Sequence, residues 1–514
     1  MNQYWGVDAD PTAQGRIKGA RPVAVLDIGS NSVRLVVYER HARSLTPLYN
    51  EKSAAALGRG MAANEGRLAD ENMARALTAI RRFALVAKLM RAGEVHILAT
   101  SAVREAANRE EFVEAVESIM EVPVRVLSGE EEAHFAALGV VAGYPGFAGV
   151  VGDLGGGSLE LSTINDGMDT YGETYNIGVI RLQDDADGSP SKAAEIVRKR
   201  LKSKTLSGDG EDRIFCAIGG TWRAMAKLHQ KLSDYPLHMV QHYMVPAADM
   251  IGFCEEIVEA VADGKSYRGA DLVSSSRREL VPYGAAVLGE VLRAGRFSTV
   301  MFSALGVREG YLFGLLAKDE QAVDPLIQGA EEMSVLRSRS PAHAQDLIEF
   351  TGRFFMRAKV DESSSEERLR RVACLIADLG WRAHPDYRAQ QSIDTVAFGA
   401  LSGIDHPGRA FLAEVLAIRY AGLKRKGVDV PAFKLSTPQM SERARLVGAL
   451  FRVAYPMSAA MPGILPRVEF EVDGKSLLLK LPQDLAFLDG EHLRGRLEQL
   501  AGVAGFKTSA VVIG

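Results

Sequence analysis

The chain has 514 residues, 47% hydrophobic and 25% charged, with 65 acidic against 61 basic side chains for a formal charge of −4. At roughly 150 residues per domain this predicts three to four globular domains. The absent basic excess argues against a duplex nucleic-acid binder, so any polyanion has to be met by a local patch. Three widely separated cysteines, Cys216, Cys254 and Cys374, argue against a disulfide framework or zinc cluster and suit a reducing cytoplasm. The first twenty residues carry no apolar run, so a loose polar tail is expected there rather than a signal peptide. No stretch reaches the ~18–20 apolar residues of a membrane helix, which makes a soluble, cytoplasmic protein the expectation.

Order is predicted from Arg21 onward. PVAVLDIG, a short SNS and VRLVVYE read as strand, tight turn, strand. Met73, Leu77, Ile80, Ala84 and Leu85 fall at helical spacing and predict a helix over about Asp70–Arg91. VHILATSA reads as a strand ending in small polar residues, and Asn108 with Glu111 as a capping-box start for the next helix. VPVRVLS is a further strand, feeding a helix from near Ser128 to about Val141. RIFCAIGGTWRAMAKL predicts a strand that delivers Gly219, Gly220 and Thr221 to a helix start, and TVMFSALGVREGYLFGLL repeats that logic. After about Leu316 the pattern turns helical through residues 330–455. The remainder returns to strands, with Asp473–Gly474 as a hairpin signal between VEFEV and KSLLLKL.

DIGSNSVRL, from Asp27 to Leu35, aligns with DLGGGSLEL, from Asp153 to Leu161, at a single offset of 126. Asp, Gly, Ser and the final Leu coincide, and both copies lie between β-type runs, which points to a duplicated domain. A Gly/Ser turn between strands can aim successive backbone N–H groups at one spot. Glycine permits positive φ and close approach of a ligand, so such a turn is a candidate anion nest. Two nests facing one another across a cleft would hold a phosphorylated ligand; as plain hairpins they would need only turn formers. Asp27 and Asp153 cannot ligate phosphate themselves and imply a bridging Mg²⁺. No GxxxxGK[ST] occurs, and loops joining strand to strand exclude the Rossmann fingerprint.

Arg34 and Arg104 follow strands toward the same region, as surface ion pairs or as guanidinium partners of phosphate. Of the three consecutive acids, Glu131 completes an S-x-x-E capping box with Ser128, and Glu130 meets the helix dipole. Neither role accounts for Glu132, which is a solvated first-turn acid or a general base. Cys216, beside the third glycine loop, reads as a strand packing residue.

Six stretches in order, DIGSNSVRL, ATSAVREA, LSGEEEAHFAALGV, GDLGGGSLEL, AIGGTWRA and ALGVREGYL, resemble the exopolyphosphatase and guanosine pentaphosphate phosphatase family over roughly residues 22–317. The resemblance implies an α/β fold of the actin, sugar kinase and Hsp70 superfamily. Two duplicated ribonuclease-H-like (actin-like) domains, residues 21–142 and 143–317, would surround a cleft after a tail over residues 1–20. A mostly helical HD-like domain (318–455) and a small mixed α/β C-terminal appendix (456–514) would follow.

Carried over residue by residue, the resemblance makes Glu132 the catalytic glutamate. It gives Asp153 and Glu160 to Mg²⁺ (or Mn²⁺), and Gly155, Gly156, Gly157 and Ser158 to phosphate. Gly29, Ser30 and Asn31 form the opposing loop, with Arg34 facing phosphate. Thr100, Ser101 and Arg104 match a TSAxRxA position, and Gly219, Gly220 and Thr221 the third loop. Arg277-Arg278-Glu279-Leu280 lacks the aspartate of the family pattern, so no role is assigned there. Ala377–Asp378 stands where HD enzymes carry His–Asp, so no dinuclear metal site is expected, and His384, Asp405 and His406 read as surface or helix-end residues.

The implied activity is that of a cytoplasmic exopolyphosphatase, a phosphoric anhydride hydrolase in which Glu132 activates water and Arg34 and Arg104 stabilise developing charge. Guanosine pentaphosphate 5′-phosphohydrolase activity, alone or in addition, is the alternative; an actin-fold kinase and a non-catalytic polyphosphate sensor are further ones. The expected partners are inorganic polyphosphate, guanosine pentaphosphate in the alternative, and a second copy of the chain as a homodimer, with neither duplex nucleic acid nor membrane. The helical domain is expected to extend a basic track through Arg337 and Arg339, Arg353, Arg357 and Lys359, Arg368, Arg370 and Arg371, and Arg419 with Lys424, Arg425 and Lys426. Solvated helix faces are the plainer reading of these clusters.

Overall fold

The computed structural model describes residues 16–165, 167–207, 213–425 and 427–514. The expected tail, up to residue 15, and Lys426 lie outside the described residues. Residues 19–324 form one compact unit, and residues 325–514, with 16–18, form another.

Strand alternation organises the first unit. β1 (Val23–Ile28) and β2 (Ser32–Tyr38) form an antiparallel hairpin. Ala24, Leu26 and Ile28 pack with Ile80 and Phe83 of the Asp70–Leu89 helix and with Phe112 and Val116 of the Arg109–Met120 helix. Val23 and Val25, pointing the other way, pack with Phe135, Tyr311 and Leu312. Asp27 is the next residue of that second series, so the two-residue period aims it at the same side as Phe135 and Tyr311. β3 (Pro47–Ala54), β4 (Glu94–Ala99) and β5 (Val124–Val126) complete a sheet of order β3-β2-β1-β4-β5, antiparallel at the first two contacts and parallel at the last two.

The second sheet contains β6 (Gly149–Leu154), β7 (Leu159–Asn165), β8 (Met168–Tyr175), β9 (Ile214–Ile218), β10 (Tyr243–Pro246) and β11 (Thr299–Phe302) in the order β10-β11-β9-β6-β7-β8. Without the edge strand β10, its order and strand directions repeat those of the first sheet. The turns repeat as well. Gly29 N–H donates to Ser32 O at 3.1 Å and Gly155 N–H to Ser158 O at 2.9 Å. Asp27 pairs with Arg34 across one hairpin and Asp153 with Glu160 across the other.

The Gly129–Gly143 helix lies between the two sheets. Its Phe135 packs in the cluster of the first sheet, while Ala136, Ala137 and Val140 pack with Val151, Cys216 and Ile218 of the second. Burial on both sides explains why its sequence is apolar nearly all round. Close helix contact depends on two glycines. A Cβ on Gly139 would strike the backbone of Gly306, and one on Gly310 would strike Phe135 O and come within 2.5 Å of Gly139 N. The Val307–Leu315 helix therefore sits directly on the Gly129–Gly143 helix.

Three sequence expectations need correction. The apolar face of the Asp70–Leu89 helix is centred on Met73, Ala76, Ile80 and Phe83, and Leu85 is 57% exposed. Asn108 makes no capping bond, because its side chain is spent on the backbone of Leu68, accepting from N–H at 2.8 Å and donating to O at 3.2 Å. Gly29, Gly155, Gly156 and Gly157 do not have positive φ; Gly156 and Gly157 serve close approach instead. A Cβ on Gly156 would stand 2.9 Å from Ser30 Cβ, and one on Gly157 2.9 Å from Ser101 Oγ.

The second unit shares one core between its helices and a sheet of order β12-β13-β14 (Glu469–Asp473, Ser476–Leu481, Thr508–Ile513). Phe350 and Phe354 of the Pro341–Arg357 helix meet Phe470 of β12 with ring centroids 4.9 and 5.0 Å apart. The hairpin at Asp473–Gly474 is present, with Gly474 at φ 57°. Residue 455 lies inside the Pro438–Ser458 helix. Asp405 caps the His406–Ala421 helix through Gly408 N–H at 2.8 Å, and His384 is exposed. Several arginines of the expected track are engaged internally. Arg353 donates to Leu465 O, Arg368 to Gly403 O, Arg370 to Glu362 and Thr351, and Arg425 to Glu414. Among the described residues no helix is long and apolar enough to cross a membrane.

Candidate active site

The glycine turns of both hairpins, the end of β4 and the end of β9 border a cavity of about 170 Å³. Asp27, Gly29, Ser30, Asn31, Arg34, Thr100, Ser101, Glu132, Asp153, Gly155, Gly156, Gly219, Gly220 and Thr221 all line it, so most of the sequence-derived site converges. The turns meet each other: Ser30 Oγ is hydrogen-bonded to Ser101 Oγ at 2.9 Å, beside Gly156 and Gly157. Gly219 has φ 109°, and a Cβ there would strike Leu154 O, so glycine is required on both counts. Arg104, Gly157, Ser158 and Glu160 do not line this cavity. Gly157 instead lines a neighbouring one of about 210 Å³.

Glu132 is held from two directions. Ser128 Oγ accepts from Glu131 N–H at 3.1 Å while Glu131 Oε2 accepts from Ser128 N–H at 2.9 Å, so the expected capping box fixes the helix start. Arg104, at the end of the short Ser101–Arg104 helix, donates to Glu132 Oε2 at 2.8 Å and to Leu127 O at 2.8 Å. Both bonds come from the Arg104 side chain, and Glu132 also lines the cavity. Burial raises the Glu132 carboxyl to about 7 against the pull of Arg104, with Asp153 and Asp27 adding to the rise. Burial also pushes Asp153 up to about 6 despite Arg223. Glu160, 1% exposed, lies well above the usual carboxylate range through burial and the nearby Glu132.

Opposite these acids stands a wall of cations. Asp27, Arg34 and Lys52 occupy one row across β1, β2 and β3. Arg34 Nε donates to Asn50 Oδ1 at 2.7 Å. Arg223 donates to Ala304 O at 3.0 Å, and Arg277 donates to Thr221 Oγ1 at 3.2 Å with its guanidinium against Gly220. Burial lowers Lys52 to about 8, helped by Arg277, Arg34 and Arg223. Burial likewise lowers Arg223 to about 10, with Arg308 and Arg34 adding. The cations act on Lys52 and Arg223 more strongly than the nearby Asp27, Asp153 and Glu309 do, an arrangement that suits an anionic ligand. Arg308 differs. It donates to Asp27 Oδ2 at 2.6 Å and lies 3.6 Å from Glu309, whose carboxylate also accepts from Tyr38 OH and Gly306 N–H.

Lys52, Arg223, Arg277 and Arg308 were not foreseen. Arg223 and Arg308 fall inside the AIGGTWRA and ALGVREGYL stretches, where their spacing from the glycines was the available signal. Arg277 reaches the site over Gly220 from a segment given no role. Lys52 enters only through strand register, which no local motif records.

The acids offer oxygen donors alone, the chemistry of a hard divalent cation. Both carboxylate oxygens of Glu160 are buried without a hydrogen-bond partner, as is Ser158 Oγ. No group of three His, Cys, Asp or Glu side chains converges as a metal cage among the described residues. One or two such carboxylates could hold a hard divalent cation that keeps waters in its shell.

The match to the Ppx/GppA phosphatase family covers residues 36–319, and the exopolyphosphatase C-terminal family matches residues 326–511. Exopolyphosphatase 2 of Mycobacterium tuberculosis is 28% identical over 290 residues, 53% of this chain and 90% of that protein. A Ppx-GppA enzyme of Aquifex aeolicus superimposes with a TM-score of 0.47 at 23% identity, over 57% of this chain and 98% of that one. An exopolyphosphatase of Cytophaga hutchinsonii gives 0.49 at 22% identity, over 58% and 99%. With its first match spanning more than half of its length, the chain belongs to the Ppx/GppA phosphatase family and is a phosphoric anhydride hydrolase.

Proposed function

We propose that this chain is an exopolyphosphatase, removing terminal orthophosphate from inorganic polyphosphate by attack of water. The observation that carries this reading is Glu132: a buried carboxylate raised to about 7, anchored through Oε2 by Arg104, on a residue that lines the cavity. A base is most effective when its pKa lies near the working pH. Water oxygen attacks the terminal phosphorus, its proton passes to Glu132 Oε1, and the bridging P–O bond breaks, the electron pair leaving on the shortened chain. Arg34, Lys52, Arg223 and Arg277 hold the phosphoryl oxygens, and Arg104 orients the base. The matching strand orders support reading the two halves as duplicated actin-like domains. No aromatic ring lines the cavity among the described residues, which favours an inorganic chain over guanosine pentaphosphate. The test is phosphate release from long-chain polyphosphate, with guanosine pentaphosphate as competitor; a preference for the nucleotide would overturn the assignment.

Asp153, with Glu160 behind it, would hold Mg²⁺ or Mn²⁺ directly or through water, and the ion when bound would neutralise phosphoryl charge. Phosphate release is expected to stop in chelator, and Asp153→Asn to raise the Mg²⁺ concentration needed for half-maximal rate. Full activity with chelator and metal-free substrate would remove the ion from the mechanism.

The pH profile follows from two groups. Below about 7 Glu132 is protonated, so kcat is expected to fall toward acid. Above about 8 Lys52 loses its charge, so KM is expected to rise toward alkali. Lys52→Gln should raise KM roughly tenfold at pH 7 and flatten the alkaline rise, with kcat preserved. An unchanged KM profile would show that Lys52 does not contact substrate.

A further inference from the structure

Asp27 and Asp153 occupy equivalent places, each on the first strand of its hairpin and two residues before a turn glycine. Their surroundings differ. Asp27 stands across from Arg34, and Arg308 Nη1 donates to its Oδ2 at 2.6 Å; Asp153 stands across from the acid Glu160.

Arg308 lies in the first turn of the Val307–Leu315 helix, and its side chain is only 11% exposed. A buried guanidinium is costly unless carboxylates answer it, and here two do. Its Nη1 is on Asp27, and its Nη2 lies 3.6 Å from Glu309 Oε1. Glu309 is itself fixed at both oxygens: Oε1 accepts from Tyr38 OH at 2.6 Å and Oε2 from Gly306 N–H at 3.0 Å. Tyr38 ends the strand that pairs with the strand of Asp27. The first hairpin therefore grips Arg308 twice, directly through Asp27 and indirectly through Tyr38 and Glu309. Without the guanidinium, Asp27 and Glu309 would be left as two uncompensated carboxylates, oxygen donors of the kind that draw a hard divalent cation. With it in place, a fixed positive charge already fills that spot, and a guanidinium does not lose its proton.

We propose that Arg308 is the resident cation of Asp27, steadied by Glu309 and Tyr38, and that it leaves Asp153 as the one member of the equivalent aspartate pair open to a divalent ion. The duplicated frame would otherwise offer two similar acids to ions in one cavity. An ion at Asp27 would also repel Arg34 and Lys52, its neighbours in the same row, on which the phosphoryl oxygens depend. Arg308 is thus a positioning residue, deciding through Asp27 where the ion goes. The part concerning Asp153 rests on the metal reading above; the pairing that closes Asp27 to ions does not.

The probe is Mn²⁺, counted per chain from the free-ion electron paramagnetic resonance signal, with full-length protein and no substrate. Wild type is expected to bind one ion. Asp27→Asn should bind one with unchanged affinity, since its amide oxygen still accepts from Arg308; loss of a true ligand would weaken binding by at least roughly tenfold. Arg308→Ala should bind two, and Mn²⁺ should raise its melting temperature more than that of wild type, a gain that loosening of the fold alone would not produce. One ion in Arg308→Ala, with one in wild type, would overturn the proposal and leave the metal reading intact. None in wild type but one in Arg308→Ala would sustain the proposal and overturn the metal reading. None in either would overturn both. Should Arg308→Ala fail to fold, Asp27→Asn decides: a lower count or weaker binding there overturns the proposal.

Discussion

Glu132→Gln should lower turnover on polyphosphate by roughly 10²–10⁴-fold, the usual contribution of a general base, while leaving substrate binding in place. The amide oxygen of glutamine can still accept from Arg104, so the anchor at 2.8 Å survives and only proton acceptance is lost. Removing a negative charge opposite the cation wall gives no reason for weaker binding of a polyanion. Glu131→Gln is the matched control. Glu131 caps its helix with Ser128 and pairs with Arg125 at 2.6 Å; glutamine still completes the box, so the change should cost at most about 1 kcal/mol through the lost ion pair and leave kcat alone. Single-turnover phosphate release and thermal melting separate the two effects. A Glu132→Gln enzyme with wild-type kcat would place the base elsewhere.

Gly310→Ala should be strongly destabilising, by about 3 kcal/mol or more, and should lower activity without touching substrate. Its methyl group would collide with Phe135 O and stand 2.5 Å from Gly139 N, and neither backbone atom can rotate away. The Val307–Leu315 helix would have to lift off the Gly129–Gly143 helix, displacing Arg308 from Asp27 and disturbing Glu132. Gly314→Ala in the same helix is the comparison, since its methyl group would meet the mobile end of Leu138 at 3.2 Å. Denaturant midpoints should fall for the first change and barely move for the second. Equal midpoints would mean that the helix contact tolerates a methyl group.

The elements legible in sequence were those whose signal is local. Asp27 and Asp153 stand at equivalent positions of a recurring motif, and the S-x-x-E spacing located the start of the Glu132 helix correctly. Beyond Arg34 the cation wall was not legible, because Lys52 reaches Asp27 only through two strand registers and Arg277 only through the gap left by Gly220. Helix faces were harder for a related reason. Leu85 fits a helical period as well as Phe83 does, and only the position of the sheet decides which is buried. The turn glycines suggest positive φ or close approach of a ligand, whereas Gly156 lets two hairpins touch, a tertiary fact absent from either hairpin alone.

Both ends of a linear polyphosphate are chemically identical, so the ligand carries no arrow; any direction has to be written into the protein. The paired rows supply it. Asp27–Arg34–Lys52 and Asp153–Glu160–Thr174 occupy the same place in two like frames. Exchanging a guanidinium for a carboxylate at the middle position leaves two cations in the first row and none in the second. Two like rows with matching charges would leave a cleft indifferent to which way a chain lay. Rows of unlike charge would make it a polar socket, and on the proposed reading the chain would lie toward Arg34 and Lys52 with its last phosphorus toward Asp153.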